Sequence, residues 1–161
     1  MSASGLIKAF DRWQHTGKPM VLATVYDTQG STYSKAGHRI LIASNLDYQG
    51  LVSGGCLEGD LAERASEVII ANEPTAITYD LRDDADDLWG LGVGCNGLIR
   101  VFLQPLMVEE GYEPFFKIAE HLGMSGSVIV ATVIISKPGA PAVGTTLVWD
   151  GSEVKSESLE N

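Results

Sequence analysis

The sequence predicts an α+β fold in a single domain, a mixed sheet flanked by helices near residues 6–16, 57–71 and 114–122. Three observations carry that expectation. β-Rich segments follow one another without the strict helix alternation that a doubly wound parallel sheet requires. One segment carries a clear amphipathic helical stripe. The 161 residues, 45% hydrophobic and 20% charged, suffice for one domain with its own core.

Leu6, Ile7, Phe10 and Trp13 recur at helical spacing, and Gly17-Lys-Pro19 ends this first helix. Met20-Val-Leu-Ala-Thr-Val-Tyr26 is largely apolar and β-branched, the pattern of a buried strand. Residues 27–38 lack periodicity and are rich in Gly, Ser and Thr, so a loop is expected there. Short strands at 39–43 and about 50–53 flank the turn-like Ser44-Asn-Leu-Asp47. In the helix over 57–71, Leu57, Leu61, Ala62, Ala65, Val68 and Ile69 form the stripe, with Glu58, Asp60, Glu63, Arg64 and Glu67 assigned outward. Glu58 and Asp60 also suit the positive end of its dipole, and Asn72 and Pro74 close it. A strand at 75–81, a loop at 82–96, a strand at 98–103, a helix at 114–122 and strands at 127–135 and 145–149 complete the order.

Leu22-Ala-Thr-Val25 returns as Val130-Ala-Thr-Val133, 108 positions later, each copy behind a helix and ahead of a loop and a short strand. Either a degenerate internal repeat or the commonness of helix–strand–loop–strand units accounts for this. The domain therefore reads as a motif-bearing part over 6–106, a partial second repeat over 109–149 and a polar tail over 150–161, expected to be mobile.

The net charge of −10 argues against a duplex-binding surface, which needs clustered cations. No run approaches the ~20 apolar residues of a spanning helix, and the first residues lack a signal-peptide core. Cys56 and Cys95, 39 positions apart, make neither a disulfide framework nor a four-ligand zinc site. Free thiols in a reducing cytoplasm are the expectation.

Ser53-Gly-Gly-Cys-Leu-Glu-Gly-Asp60 joins a strand end to the start of the helix at 57. Free N–H groups there suit an anion, and a thiol in that place has a lowered pKa. A tight turn with Cys56 as a small buried residue explains the same letters. Gly92, Gly94 and Gly97 have the G-x-G-x-x-G spacing, but an acidic loop precedes them and a strand follows, so the dinucleotide reading fails. The aspartates over 80–87 lack the glycine and glutamate of a calcium loop. Gly30-Ser-Thr-Tyr-Ser-Lys-Ala-Gly-His-Arg39 offers hydroxyls, Lys35 and Arg39 for a local anion, with surface solvation as the alternative.

Taken in order, Gly30-Ser31, Gly37-His-Arg39, Ser53-Gly-Gly-Cys-Leu-Glu58, Tyr79-Asp-Leu81 and Gly92-Val-Gly-Cys-Asn-Gly97 resemble the XdhC/CoxI family of accessory proteins for molybdenum hydroxylases. Thr32-Tyr33-Ser34 departs from the family's Ser-Pro-Arg, and Asn96 stands where Gly is usual. The resemblance implies a cytoplasmic chaperone without turnover of its own. Its cargo would be the molybdenum cofactor (molybdopterin), delivered to an apo molybdenum hydroxylase of the xanthine dehydrogenase type, with a sulfurase as a further partner. The site residues it implies are Ser31, Lys35, Arg39, Ser53, Gly54, Gly55, Cys56, Glu58, Gly94, Cys95, Asn96 and Gly97. Arg39 and helix-start amides would meet the phosphate or pterin, and the thiols the metal end. The two glycine loops, 53–59 and 92–97, are expected to come together in one cleft. Two other readings stay open: an enzyme with Cys56 as nucleophile assisted by Glu58 or His38, and a purely structural or interaction domain. Unpaired strand edges also make a homodimer an expectation.

Overall fold

A computed structural model describes residues 3–55, 57–82, 97–125, 127–151 and 154–155. Helix α1 (Ala3–Gln14) leads into β1 (Met20–Gly30), β2 (Arg39–Ala43) and β3 (Tyr48–Gly50). Helix α2 (Glu58–Ala71), β4 (Thr75–Asp80) and β5 (Gly97–Leu106) follow. Helix α3 (Phe115–Ser125) then precedes β6 (Ile129–Thr132), β7 (Thr146–Trp149) and β8 (Val154–Lys155). The large sheet has the order β3-β2-β1-β5-β4 and the small one β6-β7-β8. Every ladder among the described residues is antiparallel, and the α+β expectation holds.

Alternation along β1 divides the core in two. Val21, Ala23 and Val25 turn to one face, where Leu57, Leu61, Ala62, Ala65 and Val68 of the α2 side cover them. Met20 and Leu22 turn to the other face and pack with Leu6 and Phe10 of α1, Phe115 and Ile118 of α3, and Val148 of the small sheet. Phe10 fixes the two helices together through edge-on contacts with Phe115 and Tyr112, ring centroids 5.1 and 5.8 Å away.

Several boundaries differ from the sequence reading. Residues 27–30 continue β1 instead of opening the loop, because Asp27, Thr28, Gln29 and Gly30 pair with Arg100, Ile99, Leu98 and Gly97. An Asp27–Arg100 ion pair of 2.5 Å ties that polar stretch to its neighbour. A bulge between Val25 and Asp27 leaves Tyr26 out of register, which re-aims its side chain. The strand expected at about 50–53 lies earlier, at Tyr48–Gly50. Within the expected tail, Val154 and Lys155 form a strand on β7. Glu58 is not outward: it is fully buried. Asp60 is also partly buried and faces β4.

The internal repeat is visible as hydrogen bonds. The Val25 N–H donates to the His38 carbonyl at 2.9 Å and the Gly37 N–H to the Val25 carbonyl at 2.8 Å. In the second unit the Val133 N–H donates to Thr145 at 2.9 Å and the Gly144 N–H to Val133 at 2.8 Å. His38 to Lys35 and Thr145 to Ala142 repeat the same turn, both at 3.1 Å. Gly37 and Gly144 have φ of 93° and 94°, a left-handed conformation that favours glycine. The ladders agree: Thr24 faces Arg39 as Thr132 faces Thr146, and Leu41 and Val148 occupy one equivalent buried position. One difference is coverage. Val21 and Ile42 lie under α2, whereas their counterparts Ile129 and Trp149 are exposed.

Candidate functional site

Buried Glu58, in the first turn of α2, organises the loop before it. One carboxylate oxygen accepts the N–H groups of Val52 and Ser53 at 2.8 and 2.9 Å. The other accepts the Ser53 hydroxyl at 2.6 Å and the Gly55 N–H at 2.9 Å. The Ser53 hydroxyl oxygen in turn accepts the Leu57 N–H at 2.7 Å. Burial pushes the Glu58 pKa up, but these hydrogen bonds together outweigh it and hold the carboxyl below its usual value. A carboxylate offers about four lone-pair sites, and all four are used. The amides of Val52, Ser53 and Gly55 are thus already spent on an internal anion and are not an open phosphate cradle. Glu58 is the scaffold of this loop. The residues flanking position 56, Gly55 and Leu57, are both pinned by it, directly or through Ser53.

Tyr79 supports the same helix from β4. Its hydroxyl donates to Asp60 at 2.5 Å, and Arg64 donates to the same oxygen at 2.7 Å. Burial and the Asp60 contact raise the phenol's pKa well above its usual range, so it remains a donor. Tyr79→Phe should destabilise the domain by about 1–2 kcal/mol in urea unfolding, the range for a hydrogen bond to a charged partner. One residue on, Arg82 draws the Asp80 carboxyl down to about 2.

The first loop lies between two of the expected site segments. A Cβ on Gly54 would stand 3.4 Å from the Tyr33 ring. One on Gly97 would stand 2.6 Å from the Thr32 methyl and 2.7 Å from the Ser31 carbonyl oxygen. Residues 31–33 therefore bring Ser31, Gly54 and Gly97 to one end of the large sheet. Gly55 is exposed beside them, as is Lys35 further along the loop. Cys56 and the second glycine loop, with Gly94, Cys95 and Asn96, lie outside the described residues, and so does the acidic segment 83–96.

Arg39 does not join this cluster. It pairs with Thr24, so it shares a face with Leu22 and Leu41 and looks toward α1 and α3, across the sheet from Glu58 and α2. His38 stays with its own loop, its Nδ1 lying 3.0 Å from the Lys35 nitrogen and 2.9 Å from the Lys35 oxygen. The cleft residues Thr24, Tyr26, Phe102 and Thr132 around Arg39 escape sequence reasoning, because only the docking of the second unit on the first brings them together. The Val-Ala-Thr-Val echo was the signal that could have found them.

The chain is an antiparallel α+β domain with a repeated strand–loop–strand unit and a carboxylate-pinned glycine loop. The XdhC and CoxI family model matches residues 13–80 of this chain. The chain is 41% identical over 90 residues to a probable xanthine dehydrogenase subunit of Bacillus subtilis, an overlap of 56% of this chain and 27% of the relative. A crystal structure described as a xanthine dehydrogenase from Bacillus halodurans matches with a TM-score of 0.73 and 33% identity, over 94% of this chain and 44% of that one. The chain therefore spans under half the length of either relative.

Proposed function

We propose that this chain is an accessory module for a xanthine dehydrogenase-type molybdenum hydroxylase, binding the molybdenum cofactor (molybdopterin) as cargo and passing it to the apo enzyme in the cytoplasm. The single observation that supports this most is the loop held by Glu58: a buried carboxylate spends four hydrogen bonds on fixing the residues around position 56. Such an investment suits a place where a ligand is presented, since preorganised groups lose less freedom on binding. The names of the two relatives support only the connection to xanthine dehydrogenase. Ser31, Ser53, Gly54, Gly55 and Gly97 would line the cargo site, with Lys35 on the same loop as Ser31. Gly94 and Asn96 would come from the second loop, and Cys56 and Cys95 would meet the metal end. Bound there, the cargo supplies the molybdenum chemistry to its client, and this chain holds and releases it without turnover. A sulfurase acting on the cargo and a homodimer are companion proposals.

Activation of a cofactor-free molybdenum hydroxylase tests the reading. Cys56→Ala and Cys95→Ala should each lower activation markedly while circular dichroism stays unchanged, because a small thiol contributes little packing. Variants that stay folded and activate the client as well as the parent would overturn it.

A further inference from the structure

We propose that the cleft around Arg39, between the first unit of the repeat and the second, is a binding site for a small organic oxyanion, a phosphate monoester or a carboxylate on a flat apolar body. Among the described residues, two buried side-chain polar atoms have no hydrogen-bond partner: Arg39 Nε and Ser34 Oγ. Ser34 lies in the loop that joins β1 to β2, Arg39 opens β2, and of the two Arg39 lines the cleft. Orphaned buried polar atoms are rare in folded proteins, and a charged one is costly. No described carboxylate pairs with Arg39, and burial alone lowers its pKa.

The space beside Arg39 fits such a ligand. One cleft of about 240 Å³ runs from Arg39 past Thr24, Tyr26 and Phe102 to Ile118 and Val130. A second, of about 450 Å³, is also lined by Arg39 and lies against Leu6 and Phe115. Apolar walls with a few convergent polar groups are the usual composition of a small-molecule site. A guanidinium meets an oxyanion through two parallel N–H donors, the geometry that carboxylates and phosphates match best.

The repeat supplies an internal control. The second unit has the same strands, the same turn and the same left-handed glycine, but Thr146 stands in place of Arg39 and Pro141 in place of Ser34. The Thr146 hydroxyl lies 3.0 Å from that of Thr132 and donates to the Gly144 carbonyl at 2.9 Å. The unit therefore closes without a buried N–H or hydroxyl left unpartnered at these two positions. Arg39 is thus not needed to build this piece of fold, and its half-buried guanidinium with an unpartnered Nε is available for ligand recognition. The inference is independent of the cofactor reading, because the pinned loop lies on the other face of the sheet.

Calorimetric titration of the full chain with phenyl phosphate, benzoate and inorganic phosphate tests the site. Saturable binding of phenyl phosphate or benzoate is expected, tighter than that of inorganic phosphate, and the tighter of the two identifies the oxyanion. Arg39→Gln should weaken it by about tenfold or more, while Arg100→Gln, which removes a cation already paired with Asp27, should not. Cys56→Ala should bind these probes unchanged, so failure here and failure of the cargo reading are told apart. Without ligand, Arg39→Met should raise Tm by about 2–4 °C, since it removes a buried Nε–H without an acceptor and keeps the apolar stem. No saturable binding at millimolar probe, equal binding by Arg39→Gln, or a lower Tm for Arg39→Met would each overturn the proposal.

Discussion

Glu58→Gln should destabilise the domain by about 2–4 kcal/mol while changing its shape hardly at all. An amide has one acceptor oxygen where the carboxylate has two, so either orientation points its NH2 at donors. With the oxygen toward Val52 and Ser53, the amide nitrogen faces the Gly55 N–H and the Ser53 hydroxyl; flipped, it faces the N–H groups of Val52 and Ser53. The hydroxyl can rotate, but the backbone donors cannot. Each buried donor left without an acceptor costs about 1–3 kcal/mol. Urea unfolding followed by circular dichroism measures the loss. Acid sensitivity gives a second readout. The Glu58 carboxyl is held below its usual value of 4.5 in the folded state, so its stabilisation is present above that pH. It disappears as pH falls through the lowered folded value. The parent should therefore lose its advantage over Glu58→Gln on acidification below about pH 4. A constant difference between the two down to pH 2 would show that the carboxylate is not the group responsible.

Gly97→Ala should cost about 3 kcal/mol or more, the upper range for forcing an extra carbon into a packed site. Its Cβ would come within 2.6 Å of the Thr32 methyl and 2.7 Å of the carbonyl oxygens of Gln29 and Ser31. The methyl could turn away, but the oxygens are backbone. Gly30 is the ladder partner of Gly97, and the Gly97 carbonyl accepts the Leu81 N–H at 2.9 Å, so neither chain can yield without breaking pairing. Gly59→Ala is the control. Nothing lies within 4 Å of a Cβ there, and the position is helical. A gain of about 0.5–1 kcal/mol is expected from helix propensity. Equal effects at the two glycines in thermal unfolding would exclude close approach as the role of Gly97.

Long periodic segments were the most legible. The stripe from Leu57 to Ile69 locates α2 within one residue, because burying one side of a helix imposes a 3.6-residue period that few alternatives mimic. Polar letters on that helix were less so. Glu58 and Asp60 lie in its first turn, and charge alone sends them to solvent. Four local donors keep one buried, and a tyrosine 19 positions away draws in the other. Residues 27–30 mislead for a related reason: they are polar and turn-like, yet pairing with β5 extends the strand through them.

By itself the sequence determined the α+β class, the order of the main elements and the resemblance carried by the motifs between Gly30 and Gly97. These depend on local periodicity and short motifs, which are properties of neighbours along the chain. Tertiary structure alone decided that Arg39 and the glycine loop at Ser53 face opposite sides of the sheet, although they are only 14 positions apart. Two residues close in sequence are separated whenever strand alternation sends one through the sheet and a loop returns the chain to the other side. Sequence spacing carries no sign for face until the register is set, and for Arg39 the register is set by its pairing with Thr24 on β1.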